Sequence, residues 1–165
     1  MTVTGVSKDR DQMTMTMTAE FDVSVERAWE LWNDPRQLER WWGPPMFPAT
    51  VVDHDLTPGG RVTYYMTGPQ GEQPWGKWDV QLVDAPRRLE VKHSFTNDQG
   101  NVLDGMPTMD YHVQIVERPT GGVVMTILTK FPSIEALDQL LAMQMEEGLA
   151  AALGQMDSIL SEQTV

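Results

Sequence analysis

From Thr14 to Phe21 the residues alternate strictly, so that Met15, Met17, Ala19 and Phe21 share one face and the polar positions share the other. That period of two predicts a half-buried strand. Ser24 then stands as an N-cap before a segment to about Asn33 in which Ala28, Trp29 and Trp32 recur at helical spacing. Asp34-Pro35 repeats the start signal, with a carboxylate cap and proline at the first helical position, and predicts a second short helix ending near Trp41-Trp42-Gly43-Pro44. Turn-forming clusters at Thr57 to Gly60, Gly68 to Gly71, Asp84 to Pro86, Asn97 to Pro107 and Pro119 to Gly122 divide the following stretch. They leave strands over about 49–56, 61–66, 75–83, 88–95, 109–117 and 123–131. Beyond Phe131-Pro132, Ser133 caps an apolar stripe of Leu137, Leu141, Met145, Leu149, Leu153, Met156 and Leu160, which predicts one long helix to about Ser161.

A meander of about seven antiparallel strands with one polar face needs an apolar cover on the other, and only the terminal helix is long enough to supply it. The expected class is therefore α+β, a helix-grip fold: a curved sheet wrapped around a long C-terminal helix, with two short helices after the first strand. The polar opening, residues 1–12, is expected to be a flexible segment, and residues 13–162 a single domain. At 165 residues the chain has room for one core and no second domain.

Charge and composition narrow the chemistry. Lys and Arg number 12 against 24 Asp and Glu, a formal charge of −12, which repels nucleic-acid phosphates and anionic lipid. Neither nucleic acid nor membrane is expected as a partner. The absence of cysteine excludes disulfides, thiolate catalysis and cysteine-ligated metal. The N-terminal residues lack the apolar run of a secretory signal, and no segment approaches the ~20 apolar residues that span a bilayer, so the expected location is cytoplasmic.

The order of elements and several local motifs resemble the START-like superfamily known as SRPBCC, in the branch named for activators of heat-shock-protein ATPase. The landmarks are Ser24 to Trp32, Asp34-Pro35, Trp41-Trp42-Gly43-Pro44, Asp55-Leu56-Thr57-Pro58-Gly59-Gly60, Gly76-Lys77-Trp78 and the helix around Gly148-Leu149. Two positions depart from the usual pattern: Thr57 stands where relatives carry arginine, and Leu149 where they carry tryptophan. The smaller Leu149 implies more room between helix and sheet. The resemblance implies the helix-grip fold and a cavity for an apolar ligand, a lipid-binding-like space, while the superfamily spans carriers, receptors and cyclases and so does not fix the activity.

Strand alternation turns Val62, Tyr64 and Met66 inward, with Trp78, Val80 and Leu82, then Val91, His93 and Phe95, then Met109, Tyr111, Val113 and Ile115. The candidate ligand-binding set is Tyr64, Trp78, His93, Phe95, Tyr111, Met145 and Leu149, the alternative being that these side chains simply fill a core. Met66, Met106, Met109, Met143 and Met145 could fall near the same space, where flexible thioethers suit varied apolar shapes. Trp41, Trp42 and Trp75 sit among Pro and Gly residues, where they could form a pocket lip or merely pack. His93 is the one polar candidate with chemistry: it could orient a ligand or act as acid or base, or else be a buried histidine satisfied by backbone or Tyr111. Asp53-His54-Asp55 is a poor metal site because adjacent strand residues face opposite ways, leaving two carboxylates; Asp55 instead suits the Gly59-Gly60 turn. No metal and no cofactor is expected, and Gly-x-Ser-x-Gly, phosphate-loop, dinucleotide and His-Glu-x-x-His motifs are all absent.

The residues thus favour binding or carrying of a hydrophobic or amphipathic small molecule over two rivals, a cyclase-like enzyme using His93 and a chaperone-interaction module. A chaperone partner is not expected from a chain with this one domain. Edge strands and tryptophan-rich loops leave a homodimer open.

Overall fold

In chain order the first elements are β1 (Val3–Asp9), β2 (Thr14–Phe21), α1 (Val25–Asn33), α2 (Pro35–Trp41), β3 (Ala49–His54) and β4 (Arg61–Met66). There follow β5 (Trp75–Asp84), β6 (Arg88–Thr96), β7 (Met109–Glu117), β8 (Val123–Lys130), α3 (Ile134–Ala142), α4 (Met145–Gly154) and α5 (Met156–Leu160). The structure, a computed structural model, describes residues 3–162. Its strands make one curved, open antiparallel sheet in the order β1-β2-β8-β7-β6-β5-β4-β3, with the terminal helices gripped by it.

Local chemistry starts and stops the first helices where the sequence signals lie. Ser24 Oγ accepts from the Arg27 N–H at 3.1 Å to cap α1. Asp34 ends α1 and caps α2, its carboxylate accepting from the Arg36 N–H at 3.0 Å with Pro35 in the first turn. The buried face of α1, with Ala28, Leu31 and Trp32, packs into the main core.

The sheet has eight strands where about seven were expected, because within the opening segment Val3–Asp9 forms a strand, residues 1–2 lying outside the described residues. Gly5 to Asp9 pair antiparallel with Thr18 to Thr14 of β2, which satisfies backbone groups on an otherwise free edge. This strand and the turn that follows it also hold the helices. Lys8 Nζ lies 2.5 Å from Glu146 on α4, and Arg10 lies 2.5 Å from Asp138 on α3.

A second correction concerns β5. The register shifts between Val80 and Leu82, a bulge that flips the strand's alternation from that point. Leu82, expected inward, is therefore only half-buried and outside the core cluster, and Val83 packs against the core in its place.

The expected single terminal helix is three helices. Gln144 adopts φ +64°, a left-handed conformation uncommon for a residue with a side chain, and separates α3 from α4. The apolar stripe nevertheless continues across the break: Leu137, Leu140, Leu149, Leu153 and Met156 are all buried against the sheet's inner face. Gln155 closes the far end, its side-chain N–H₂ donating to Gly43 O at 2.6 Å and Trp41 O at 3.3 Å.

Candidate functional site

Between the sheet and the α3–α4 pair lies a cavity of about 190 Å³. Strand alternation delivers its walls in pairs: Tyr64 and Met66 from β4, His93 and Phe95 from β6, Met109 and Tyr111 from β7. The helices add Leu140, Met143, Met145, Gly148 and Leu149, and the loop after α2 adds Trp42 and Pro44. None of these residues carries a formal charge.

Of the seven residues singled out in the sequence, six line this space and Trp78 does not. Trp78 is buried behind Trp42, their ring centroids 4.9 Å apart at 89°, and it belongs to an aromatic floor with Trp32 and Trp41. The three loop-region tryptophans separate likewise. Trp42 lines the cavity, Trp41 is buried with its indole N–H donating to Leu31 O at 2.7 Å, and Trp75 packs on Tyr65, which its neighbour Tyr64 leaves on the opposite sheet face. Met106 lies outside the lining, with the Gln139 amide 3.9 Å from its sulfur.

His93 is buried, 3% exposed, and its partner is Tyr64 rather than Tyr111 or backbone: Tyr64 Oη and His93 Nε2 are 2.5 Å apart. These residues belong to β4 and β6, with β5 between them. The contact exists because Tyr64 pairs with Gly76 of β5, where a Cβ would sit 2.3 Å from the Tyr64 hydroxyl. A glycine opposite the tyrosine lets the phenol lie across β5 and reach the imidazole. That was the signal available in Gly76-Lys77-Trp78, and its meaning needed the strand register.

The surroundings fix the protonation states. Burial pushes the His93 imidazole down to about 3, so it is neutral near pH 7. Burial also raises the Tyr64 and Tyr111 phenols, the neighbouring Tyr64 adding to the rise at Tyr111. The Trp42 indole N–H is close enough to oppose the rise at Tyr64, yet it meets no acceptor in hydrogen-bond geometry. His93 Nδ1 is also buried and unpartnered among the described residues. A buried polar nitrogen left so costs about 1–3 kcal/mol.

Asp53, His54 and Asp55 have structural partners outside the cavity. Asp53 accepts from Thr63 Oγ1 and Asp55 from Thr57 Oγ1, each at 2.7 Å, and His54 Nε2 is 3.0 Å from Trp32 O. Among the described residues no three His, Asp or Glu side chains converge as a metal site, and no helix is long and apolar enough to cross a membrane.

An open antiparallel sheet gripping C-terminal helices over an uncharged cavity defines a helix-grip domain of the SRPBCC superfamily. Within it, the chain belongs to the family described as activator of Hsp90 ATPase homolog 1-like protein, whose profile matches residues 22–161. It is similar to a Mycobacterium smegmatis protein of known crystal structure, with 44% identity, 99% of each chain covered and a TM-score of 0.90. The solution structure of an Arthrobacter aurescens protein is 41% identical, with 99% of this chain and 94% of that chain covered and a TM-score of 0.93. A Rhodobacter sphaeroides protein shares the fold at 20% identity, with 95% and 97% covered and a TM-score of 0.82. No curated protein matches the chain.

Proposed function

We propose that the protein binds or carries a hydrophobic or amphipathic small molecule in the cavity between sheet and helices, in the cytoplasm. The observation that carries this reading is a space between sheet and helices whose wall is uncharged and largely apolar, with the buried Tyr64–His93 pair among its residues. Apolar burial would supply affinity, and the few polar atoms orientation. A packed core would not leave the 190 Å³ space.

A melting-temperature panel of fatty acids, terpenoids, flavonoids and polyketide-like aromatics tests the reading. A ligand at a hundredfold excess over its Kd adds about 2.7 kcal/mol to stability. Leu149→Trp, which fills the cavity, should remove the shift, and Lys77→Ala, outside the lining, should keep it. A panel that moves nothing in the parent protein would sink the proposal. The enzyme reading is weaker, since a neutral His93 has no proton to give near pH 7 and is a feeble base. Turnover lost in His93→Ala with affinity retained would favour it. The family description motivates the chaperone reading, for which direct binding with ATPase stimulation is the required result.

A further inference from the structure

Building on the reading that the cavity takes a small molecule, we infer that Tyr111 sets its specificity: the ligand is an uncharged, mostly hydrocarbon compound whose hydroxyl or carbonyl end enters first and bonds the Tyr111 hydroxyl.

Tyr111 differs from the other polar side chains of the wall. Four lining residues carry side-chain nitrogen or oxygen: Trp42, Tyr64, His93 and Tyr111. Tyr64 Oη and His93 Nε2 are engaged with each other, and Trp42 Nε1 and His93 Nδ1 are sealed from solvent. Tyr111 Oη makes no hydrogen bond among the described residues, yet it is not one of the buried atoms left without a partner. It therefore keeps accessible surface. Because Tyr111 lines the cavity from the inner face of β7, that surface opens into the cavity.

The hydroxyl belongs to the aromatic end. The Tyr111 ring centroid is 5.4 Å from that of His93 and 6.0 Å from that of Trp42, while the thioethers of Met143 and Met145 stand at the break between α3 and α4. With Met143 54% exposed, the cavity is open at the thioether end, so the hydrocarbon part of the ligand is free to vary and the inner end carries the selectivity.

Desolvation decides what that end must be. A hydrocarbon laid over Tyr111 displaces the water that can reach its hydroxyl and returns nothing, whereas an alcohol or carbonyl replaces the lost bond. Burial raises the Tyr111 phenol, which keeps its proton and can both donate to a carbonyl and accept from an alcohol. An ionised end fares worse. No lining residue is charged, so a carboxylate or ammonium would give up its hydration for one neutral hydroxyl.

Two probe series test this, each keeping one skeleton and changing one group: 1-octanol, octane, octanoate and octylammonium, and 2-naphthol, naphthalene and 2-naphthoate. Each is titrated near pH 7 into the ¹⁵N-labelled parent protein and into Tyr111→Phe, with thermal melts to check that the variant is folded. Whichever skeleton binds carries the comparison. In the parent protein the hydroxyl compound should bind about tenfold tighter than the hydrocarbon, the worth of one net hydrogen bond, and about tenfold or more tighter than the ionised congeners. Tyr111→Phe removes the hydroxyl and keeps the ring, so the preference over the hydrocarbon should vanish. A preference that is absent, or that survives in Tyr111→Phe, would overturn the role of Tyr111. Ionised congeners that match the hydroxyl compounds would overturn the requirement for a neutral end. In the parent protein alone, nuclear Overhauser contacts should run from the octanol carbinol protons, or the 2-naphthol ring protons beside its hydroxyl, to the Tyr111 ring. Contacts from those protons to the Met143 and Met145 methyl groups instead would reverse the ligand and overturn the inference. If only the hydrocarbons bind, the inference falls and the binding proposal stands; if no probe of either series binds, both fall.

Discussion

The cavity has a floor and a mouth built from opposite materials. At the floor, Trp32, Trp41, Trp42 and Trp78 interlock with centroid separations of 4.7 Å for Trp32–Trp41 and 4.9 Å for Trp42–Trp78. Gln155 pins the backbone beside them. At the mouth, Met66 and Met145 are half-buried, Met143 is 54% exposed, and the helix breaks at Gln144. Rings with two side-chain torsions hold one shape, whereas thioether chains with three rearrange at low cost. For the proposed binding role, the contrast would give recognition geometry to the floor and access to the mouth.

The largest test of that contrast removes one side chain from each region. Trp78→Ala should cost about 3–5 kcal/mol, because a fully buried ring leaves a cavity that its neighbours cannot fill. Met145→Ala should cost less than about 2 kcal/mol, since the side chain is only partly buried and the rim can relax. Urea midpoints of the two variants, at unchanged slope, give the comparison directly. Equal losses would mean that floor and mouth are one packed unit and that the distinction is empty.

His93 sits where the two regions meet, stacked near Tyr64, 4.9 Å from Phe95 and 6.1 Å from Trp42 in ring centroids. Its folded-state pKa of about 3 lies below the ordinary 6.5, so below pH 6.5 only the unfolded chain takes up the proton. The stability that depends on neutral His93 is complete above pH 6.5 and drains away as pH falls toward 3, by about 2 kcal/mol at pH 5. Urea unfolding at pH 7.5, 6 and 5 should record that decline, and His93→Gln should flatten it. A slope that survives the substitution would assign the proton uptake to other groups.

The strength of the two periodicities decided what could be read before any coordinates. β2, β4 and β7 fall where alternation and turn residues put them, and α1 where Ser24 and Asp34 bracket it, because each is written in local chemistry. The break at Gln144 has no such mark. No proline or glycine stands there, and Leu141, Met145 and Leu149 keep their four-residue steps across it, so periodicity alone reads through. β1 escaped for the opposite reason: from Gly5 to Asp9 its side chains are exposed and show no apolar alternation, and pairing with β2 rather than burial makes it a strand. At the site, the identities of the inward residues were legible, but the bond from Tyr64 to His93 was not. It depends on Gly76 standing opposite Tyr64, a fact of register that no single strand contains.

That polar strand yields the smallest expected effect and the finest test of the mouth. Lys8 on β1 and Arg10 in the turn that follows it pair with Glu146 and Asp138, which lie on either side of the Gln144 break. The pairs are exposed, so they contribute little to global stability and are screened by salt. Their position still ties the ends of α3 and α4 that border the cavity to the sheet's edge. The double variant Lys8→Ala, Arg10→Ala should therefore leave the melting temperature nearly unchanged while speeding hydrogen exchange at amides 143–147, where local opening is cheapest. In the parent protein about 1 M salt should reproduce part of that acceleration, and in the variant it should add nothing. Exchange unchanged at the break but faster at Trp41 and Trp42 would place the compliant end of the cavity at its floor, reversing the assignment of access to the mouth.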